Sequence, residues 1–219
     1  MGIRVSVLKI LEMIDNIEHI KKLLNFEKEG DFYMLYIFKR KKDQPEGERD
    51  NHQSVRTIKT YCVDSVQYLE KRYDEIKQLC EMFNARAYIH VQKQNHSDVS
   101  LDMMVSLAER IKNGVNNQKG LFDSVVGQIK TKEKRWVIDI DNVSMDGFNH
   151  DKYYIEMRNY INELQVEAGK EQGMTFIKTR SGFHIITQPF NVMKFKERYP
   201  DVDIQKKNPT LLYLPESLN

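Results

Sequence analysis

Cysteine is scarce in this chain: only Cys62 and Cys80 occur among 219 residues. One falls in a predicted strand and the other in a predicted helix, without metal-ligand spacing, so neither a disulfide framework nor a zinc site is indicated. Both read as reduced core residues. Five prolines and ten glycines are too few for a low-complexity chain. No apolar run approaches the roughly 20 residues that a membrane-spanning helix needs. The amphipathic start carries acids, unlike a signal or transit peptide, so a cytoplasmic protein with no membrane partner is expected. An excess of one charge sign is also missing. Thirty-four Lys and Arg against 32 Asp and Glu leave a net charge of +2, which excludes a polybasic nucleic-acid coat but leaves room for a local basic groove.

What is present describes a globular chain. Hydrophobic residues make up 40% and charged residues 30%, enough for a sizeable core under a highly charged surface. The length fits one domain, or one domain built from two lobes. Apolar positions at Val5, Leu8, Ile10, Leu11, Ile14, Ile17, Ile20, Leu23 and Leu24 predict an amphipathic packing helix over about 5–24. Phe32–Arg40 is an aromatic strand candidate, and the mixed-charge segment 41–53, with Pro45 and Gly47, reads as a solvated loop. A strand over Val55–Val63 precedes a helix capped by Asp64 or Ser65 and running to about Phe83. Arg86–Gln92 is the next strand, and Ser100 is expected to cap a helix through Leu101, Met104, Val105, Leu107, Ala108 and Ile111. Further on come the strand-forming stretch Arg135–Asn142, a helix over about 152–168, and short strands at 174–178 and 183–187. A helix at 192–198 and strands at 202–204 and 211–214 complete the chain. Strands and helices mixed in this way predict α/β or α+β layers.

Three short segments carry candidate chemistry. RWVIDIDN, from Arg135 to Asn142, is strand-forming yet places Asp139 and Asp141 two apart. On a strand, i and i+2 lie about 7 Å apart on one face, so the two carboxylates suit one or two divalent ions. A strand running out into an exposed acidic turn has the same pattern. KTRSGFHIIT, from Lys178 to Thr187, offers phosphate donors: Lys178 and Arg180 by charge, Ser181 by hydroxyl and amide, and His184 by its ring. Gly182 would permit close backbone approach to a ligand. The alternative is a common SG turn beside a hydrogen-bonded core histidine. Two carboxylates rarely satisfy a pair of Mg²⁺ ions, so a third acid is expected. PDVDI supplies Asp201 near a turn and Asp203 between Val202 and Ile204 in a short strand; Asp203 is the better candidate.

The order VIDID, SGFH, VDI resembles motifs I, II and III of the archaeo-eukaryotic primase superfamily, the catalytic cores of primases and primase-polymerases. The trailing TLLYLPESL is similar to that family's hydrophobic strand with a following proline, although Leu212 and Tyr213 stand where many members carry arginine. The resemblance covers most of the chain after about residue 30. It implies a single α+β domain of two lobes: a helical extension over 1–30, an N-terminal α/β lobe over 31–130, and an RRM-like catalytic lobe over 131–219. It implies Asp139, Asp141 and Asp203 as catalytic ligands of Mg²⁺ or Mn²⁺. Arg180, Ser181 and His184, with Lys178, would bind a nucleoside triphosphate. The implied activity is DNA-dependent nucleotidyl transfer on a single-stranded DNA template by two-metal phosphoryl transfer. No zinc module or helicase domain is seen, so a replicative helicase is an expected partner, and many compact relatives serve mobile-element replication.

Two other readings stay open. DIDNV also resembles the first motif of haloacid-dehalogenase-type phosphatases, where one Asp is a nucleophile and the next an acid/base. Alternatively, a primase-like scaffold binds nucleotide or nucleic acid without catalysis. Lys130, Lys132, Lys134 and Arg135 would then supply charge, and Tyr36, Phe38, Tyr88 and Trp136 stacking surfaces.

Overall fold

Aromatic and aliphatic residues dominate the longest strand among the described residues, Asp31–Arg40, and two antiparallel sheets grow around it and around the acidic strand. A computed structural model describes residues 10–11, 13–44, 47, 54–115, 117–128, 131, 133–141, 150–164 and 173–218. In chain order they form β1 (Ile10–Leu11), β2 (Ile14–Asp15), α1 (Ile17–Leu23), β3 (Asp31–Arg40), a 3₁₀ turn (Lys41–Asp43) and β4 (Val55–Val63). Then come α2 (Val66–Met82), β5 (Arg86–Ile89), β6 (Gln94–Asn95), α3 (His96–Lys112) and α4 (Leu121–Gln128). The acidic strand β7 (Trp136–Asp141) leads to α5 (His150–Leu164), β8 (Thr175–Lys178), β9 (Gly182–Thr187), α6 (Val192–Arg198) and β10 (Asp203–Gln205). The chain closes with β11 (Thr210–Leu214) and β12 (Ser217–Leu218). The fold is α+β, with six α-helices among the described residues.

The larger sheet runs β2-β11-β5-β3-β4, with β6 also pairing β3. The smaller one runs β10-β7-β9-β8, so that β7-α5-β8-β9-α6-β10 is a βαββαβ unit with its first strand in the middle. Every pairing in both sheets is antiparallel. Alternation along the strands of the smaller sheet assigns its two faces. Ile138, Ile140, Phe183 and Ile185 pack with Met157 and Ile161 of α5 and Phe195 of α6. Val137, Ile177 and Ile186 face the other way and join Leu35, Ile37, Ile89 and Leu212 in the main core between the sheets. The chain crosses back after β10, because β11 belongs to the larger sheet, between β5 and β2.

Several strands and helices lie where the sequence predicts them, and Ser65 does cap α2, its Oγ accepting from the Tyr68 N–H at 3.1 Å. Three local expectations are corrected. The helix expected over 5–24 survives only as α1 among the described residues, because Ile14 and Asp15 pair with Leu214 and Tyr213 of β11. Asn16 then ends that strand. It is buried, its Nδ2 donates to the carbonyls of Lys178 (2.9 Å) and Leu211 (3.0 Å), and its own N–H donates to Leu212 O at 2.9 Å. One side chain thus ties β8 to β11, joining the two sheets. The second correction is the cap of α3: Asn95, not Ser100, holds it, accepting from the Ser97 N–H at 3.0 Å, so the helix starts more than a turn earlier. Third, the solvated loop expected after β3 begins with a 3₁₀ turn whose Asp43 side chain and Gln44 are buried. Positions 45–46 and 48–53 lie outside the described residues, as do 142–149, where the sequence predicts a turn, and the end of the helix expected to reach 168.

Candidate active site

The apolar face of the smaller sheet turns polar as it leaves the core. Across β7 and β9, Val137 sits opposite Ile186, Asp139 opposite His184, and Asp141 opposite Gly182, all on one face. On the other side of β7, Asp203 of β10 is the partner of the same Asp139. The acid at the centre therefore has an imidazole on one flank and a second carboxylate on the other. His184 Nε2 lies 3.3 Å from Asp139 Oδ1, and its Nδ1 lies 2.9 Å from Thr210 Oγ1 on β11. Gln205 Nε2 donates to Asp139 Oδ2 at 3.1 Å and to Asp203 Oδ2 at 2.9 Å, so one amide nitrogen stands between two carboxylates. The hydrogen bond with His184 holds the Asp139 carboxyl below the usual carboxylate range, its charge and the Gln205 amide adding to the effect against the opposing pull of burial.

These groups open into a cavity of about 670 Å³ between the two sheets. Asp139, Asp141 and His184 form one wall, and Thr179, Arg180 and Ser181, from the turn joining β8 to β9, form its edge. That turn is closed by the Thr179 N–H donating to Gly182 O at 2.9 Å. The wall opposite belongs to the larger sheet: Phe38 and Arg40 of β3, Lys42 of the 3₁₀ turn, and Arg86 and Tyr88 of β5. Four cationic side chains thus look into one cavity with two carboxylates. Arg40 leads the effects that lower the Lys42 pKa, with burial and Arg86 adding to it: crowded cations disfavour one more charge.

Asp43 holds this arrangement together from behind. Its Oδ1 accepts from Arg86 and, at 3.1 Å, from Arg180 Nη1. A buried carboxylate thereby clamps an arginine of each sheet. Among the described residues, Asp43 Oδ2, Arg86 Nε and Thr179 Oγ1 are buried without a hydrogen-bond partner.

Of the residues singled out in the sequence, Asp139, Asp141, Arg180, Ser181 and His184 meet in the cavity, and Asp203 reaches it through the shared Gln205 amide. Asp201 precedes β10 and takes no place in the sheet. Lys178 is not in the cavity wall. It pairs with Phe183, whose side chain belongs to the helix-covered face, while its neighbour Ile177 pairs with His184. Gly182 is required for a reason other than ligand approach: a Cβ there would stand 1.9 Å from Ile140 O, so the neighbouring strand leaves no room. Among the described residues, no group of three or more His, Cys, Asp and Glu stands ready-made to hold a metal ion. Asp139 and Asp203 are instead engaged by the Gln205 amide, and Asp139 by His184 as well.

Sequence reading missed Gln205, Thr210, Asp43, Arg40, Lys42 and Arg86. Gln205 was signalled by its position two residues after Asp203, hence on the same face. Arg86 at the start of an apolar strand was a buried charge in need of a partner. Nothing local marked Asp43, since its partners lie 43 and 137 residues away. Of the residues considered for a nucleic-acid surface, Tyr36 stacks on Phe38 at 5.2 Å and Phe38 meets Tyr88 at 5.9 Å, whereas Trp136 packs on Phe190. Lys130 and Lys132 lie outside the described residues. Compared with family models, curated proteins and solved structures, the chain matches none of them.

Proposed function

We propose that this protein is a DNA-dependent nucleotidyltransferase of the primase or primase-polymerase type, joining nucleotides on a single-stranded DNA template. The observation that carries the reading is the register of three strands. Asp139 is paired on one side with Asp203 and on the other with His184, which brings three separate sequence motifs to one point. The βαββαβ order of the smaller sheet also suits the RRM-like catalytic lobe that the primase resemblance implies. The phosphatase alternative gives the SGFH segment no task, although it forms the edge of the cavity beside the acids.

The donor set suits a hard divalent cation. Asp139 and Asp203 offer carboxylate oxygens on either side of a position filled by an amide nitrogen, and Asp141 stands exposed at the cavity one strand repeat away. Mg²⁺ or Mn²⁺ held by Asp139, Asp141 and Asp203 would supply Lewis-acid activation of a 3′-hydroxyl and neutralise charge on the departing pyrophosphate. The protein's own groups do the rest. Arg180 donates a charged fork to phosphate oxygens, Ser181 a hydroxyl, and His184 the ring N–H that is directed at Asp139 in this structure. Thr210 fixes the tilt of that ring. Arg40, Lys42 and Arg86 add charge from the facing wall, in a site where preorganised cations offset charge developing on the triphosphate.

Titration of a nucleoside triphosphate into the protein with and without Mg²⁺ or Mn²⁺ tests this reading. Metal-dependent binding that weakens in Asp203→Ala and in His184→Ala is expected. Equal binding in both folded variants would overturn the assignment. A non-catalytic nucleic-acid binder would take up single-stranded DNA but show no metal-dependent triphosphate binding.

A further inference from the structure

The outer face of α3 does not fit a protein that works alone. Leu101, Met104, Ala108 and Ile111 follow one another at spacings of three and four residues, the pattern of a buried helical seam. All four are exposed: Leu101 by 63%, Met104 by 69% and Ile111 by 65%, with Val105 beside them at 59%. The helix meets the protein with its opposite side, through Val99 and Met103 against Phe32, Leu121 and Val125. Contiguous exposed apolar side chains on this scale mark an interaction surface.

The charges along the seam identify what covers it. Asp98, Val105 and Lys112 are seven residues apart and line one edge of the stripe, with Asp98 in the first turn and Lys112 in the last. Edge positions of this kind meet their own counterparts when two copies of a helix pack antiparallel. Asp98 of each copy then faces Lys112 of the other, twice, across a two-fold axis near Val105. In the same register Leu101 packs on Ile111, and Met104 on Ala108. A parallel pairing would instead set this edge against the opposite edge of the partner helix, where Ser100 and Leu107 stand, and would leave Asp98 and Lys112 without an opposite charge within α3. The surface is thus self-complementary in one orientation only, as an isologous interface requires.

We propose that α3 is a homodimerisation surface, on which a second copy of this chain docks through an antiparallel α3–α3 pair. This surface is separate from the cavity, and the proposal does not depend on the nucleotidyltransferase reading.

Sedimentation velocity of the full chain, from micromolar to sub-millimolar concentration, tests it together with a charge-swap series. The wild type should show a concentration-dependent dimer. Leu101→Glu should be monomeric. Asp98→Lys and Lys112→Asp should each weaken association by about tenfold or more, since like charges then face each other. The double swap should restore it, a result that no other partner or register would give. All the substituted side chains are exposed, and circular dichroism confirms that each variant is folded. Val105→Cys should add an oxidant-dependent disulfide dimer that the wild type, with its own Cys62 and Cys80, does not form. A wild type that stays monomeric throughout, a dimer that survives Leu101→Glu, or a double swap that fails to rescue would each overturn the proposal.

Discussion

At Gly182 a single hydrogen atom separates a working sheet from a broken one. The position opposite Asp141 has the Ile140 carbonyl where any Cβ must go, so Gly182→Ala forces β7 and β9 apart. A cost of about 1–3 kcal/mol in chemical denaturation is expected, in the range of overpacked core sites. A loss below about 0.5 kcal/mol, the range of ordinary surface changes, would show that the strands can yield. Two other residues contribute to the response to acid, beside the depressed carboxyls of Asp31 and Glu75. Burial pushes the His90 imidazole down to about 4, so it is neutral in the folded protein at pH values where the unfolded chain, near 6.5, binds a proton. Stability from this source is therefore full above about pH 6.5 and is lost as pH falls towards 4. The Asp139 carboxyl is depressed by His184, and its contribution persists until pH falls below the ordinary carboxylate value of about 3.9. Denaturation midpoints measured against pH should decline in two stages, with His90→Gln flattening the upper stage and Asp139→Asn the lower. An unchanged profile in His90→Gln would remove the upper assignment.

Between residue and fold, strand pairing sets the arrangement. Asn16 is the side chain through which β2, β8 and β11 meet, and Asn16→Ala removes two donated bonds from buried surroundings. With about 1 kcal/mol net for each bond and more for carbonyls left unpaired, a loss of about 2–3 kcal/mol is expected in urea unfolding. A change under about 0.5 kcal/mol would contradict that role. The strands β3, β4, β8, β9 and β11 were legible in the sequence because β-branched and aromatic runs are local signals. The short N-terminal strands were not. Ile14 and Asp15 sit within a pattern that also suits a helix, and only the edge of β11, some 200 residues later, decides between the two. The site divides in the same way. Asp139 and His184 could be read from their motifs, since each is placed by its own strand, and Ser181 from the turn that leads into β9. Asp43 could not, because mixed charges in a loop read as solvated until both arginines that it binds are in view.

For the molecule as a whole, the consequence of two sheets is a cavity that neither sheet makes alone. The smaller sheet brings acids and the histidine, the larger one brings Arg40, Lys42 and Arg86, and the Asp43 clamp on Arg180 spans the two. Asp43→Ala leaves a pair of arginines without their shared carboxylate. A thermal midpoint several degrees lower is expected, since breaking a buried ion pair costs about 3–5 kcal/mol. Asp43→Asn, which keeps the shape, should recover part of that loss; if both variants melt like the wild type, the clamp has no structural weight. Among the described residues, no helix is long and apolar enough to cross a membrane.

Template-directed synthesis is the direct test of the central proposal. Purified protein is incubated with single-stranded DNA, labelled ribo- or deoxynucleotides, and Mg²⁺ or Mn²⁺, beside an Asp139→Ala, Asp141→Ala double variant shown to be folded. Metal-dependent product is expected from the wild type, with a fall of about a hundredfold or more in the variant, the scale on which lost transition-state stabilisation is felt. Equal product from both proteins, or none from the wild type across a broad range of templates and pH, would contradict the proposal.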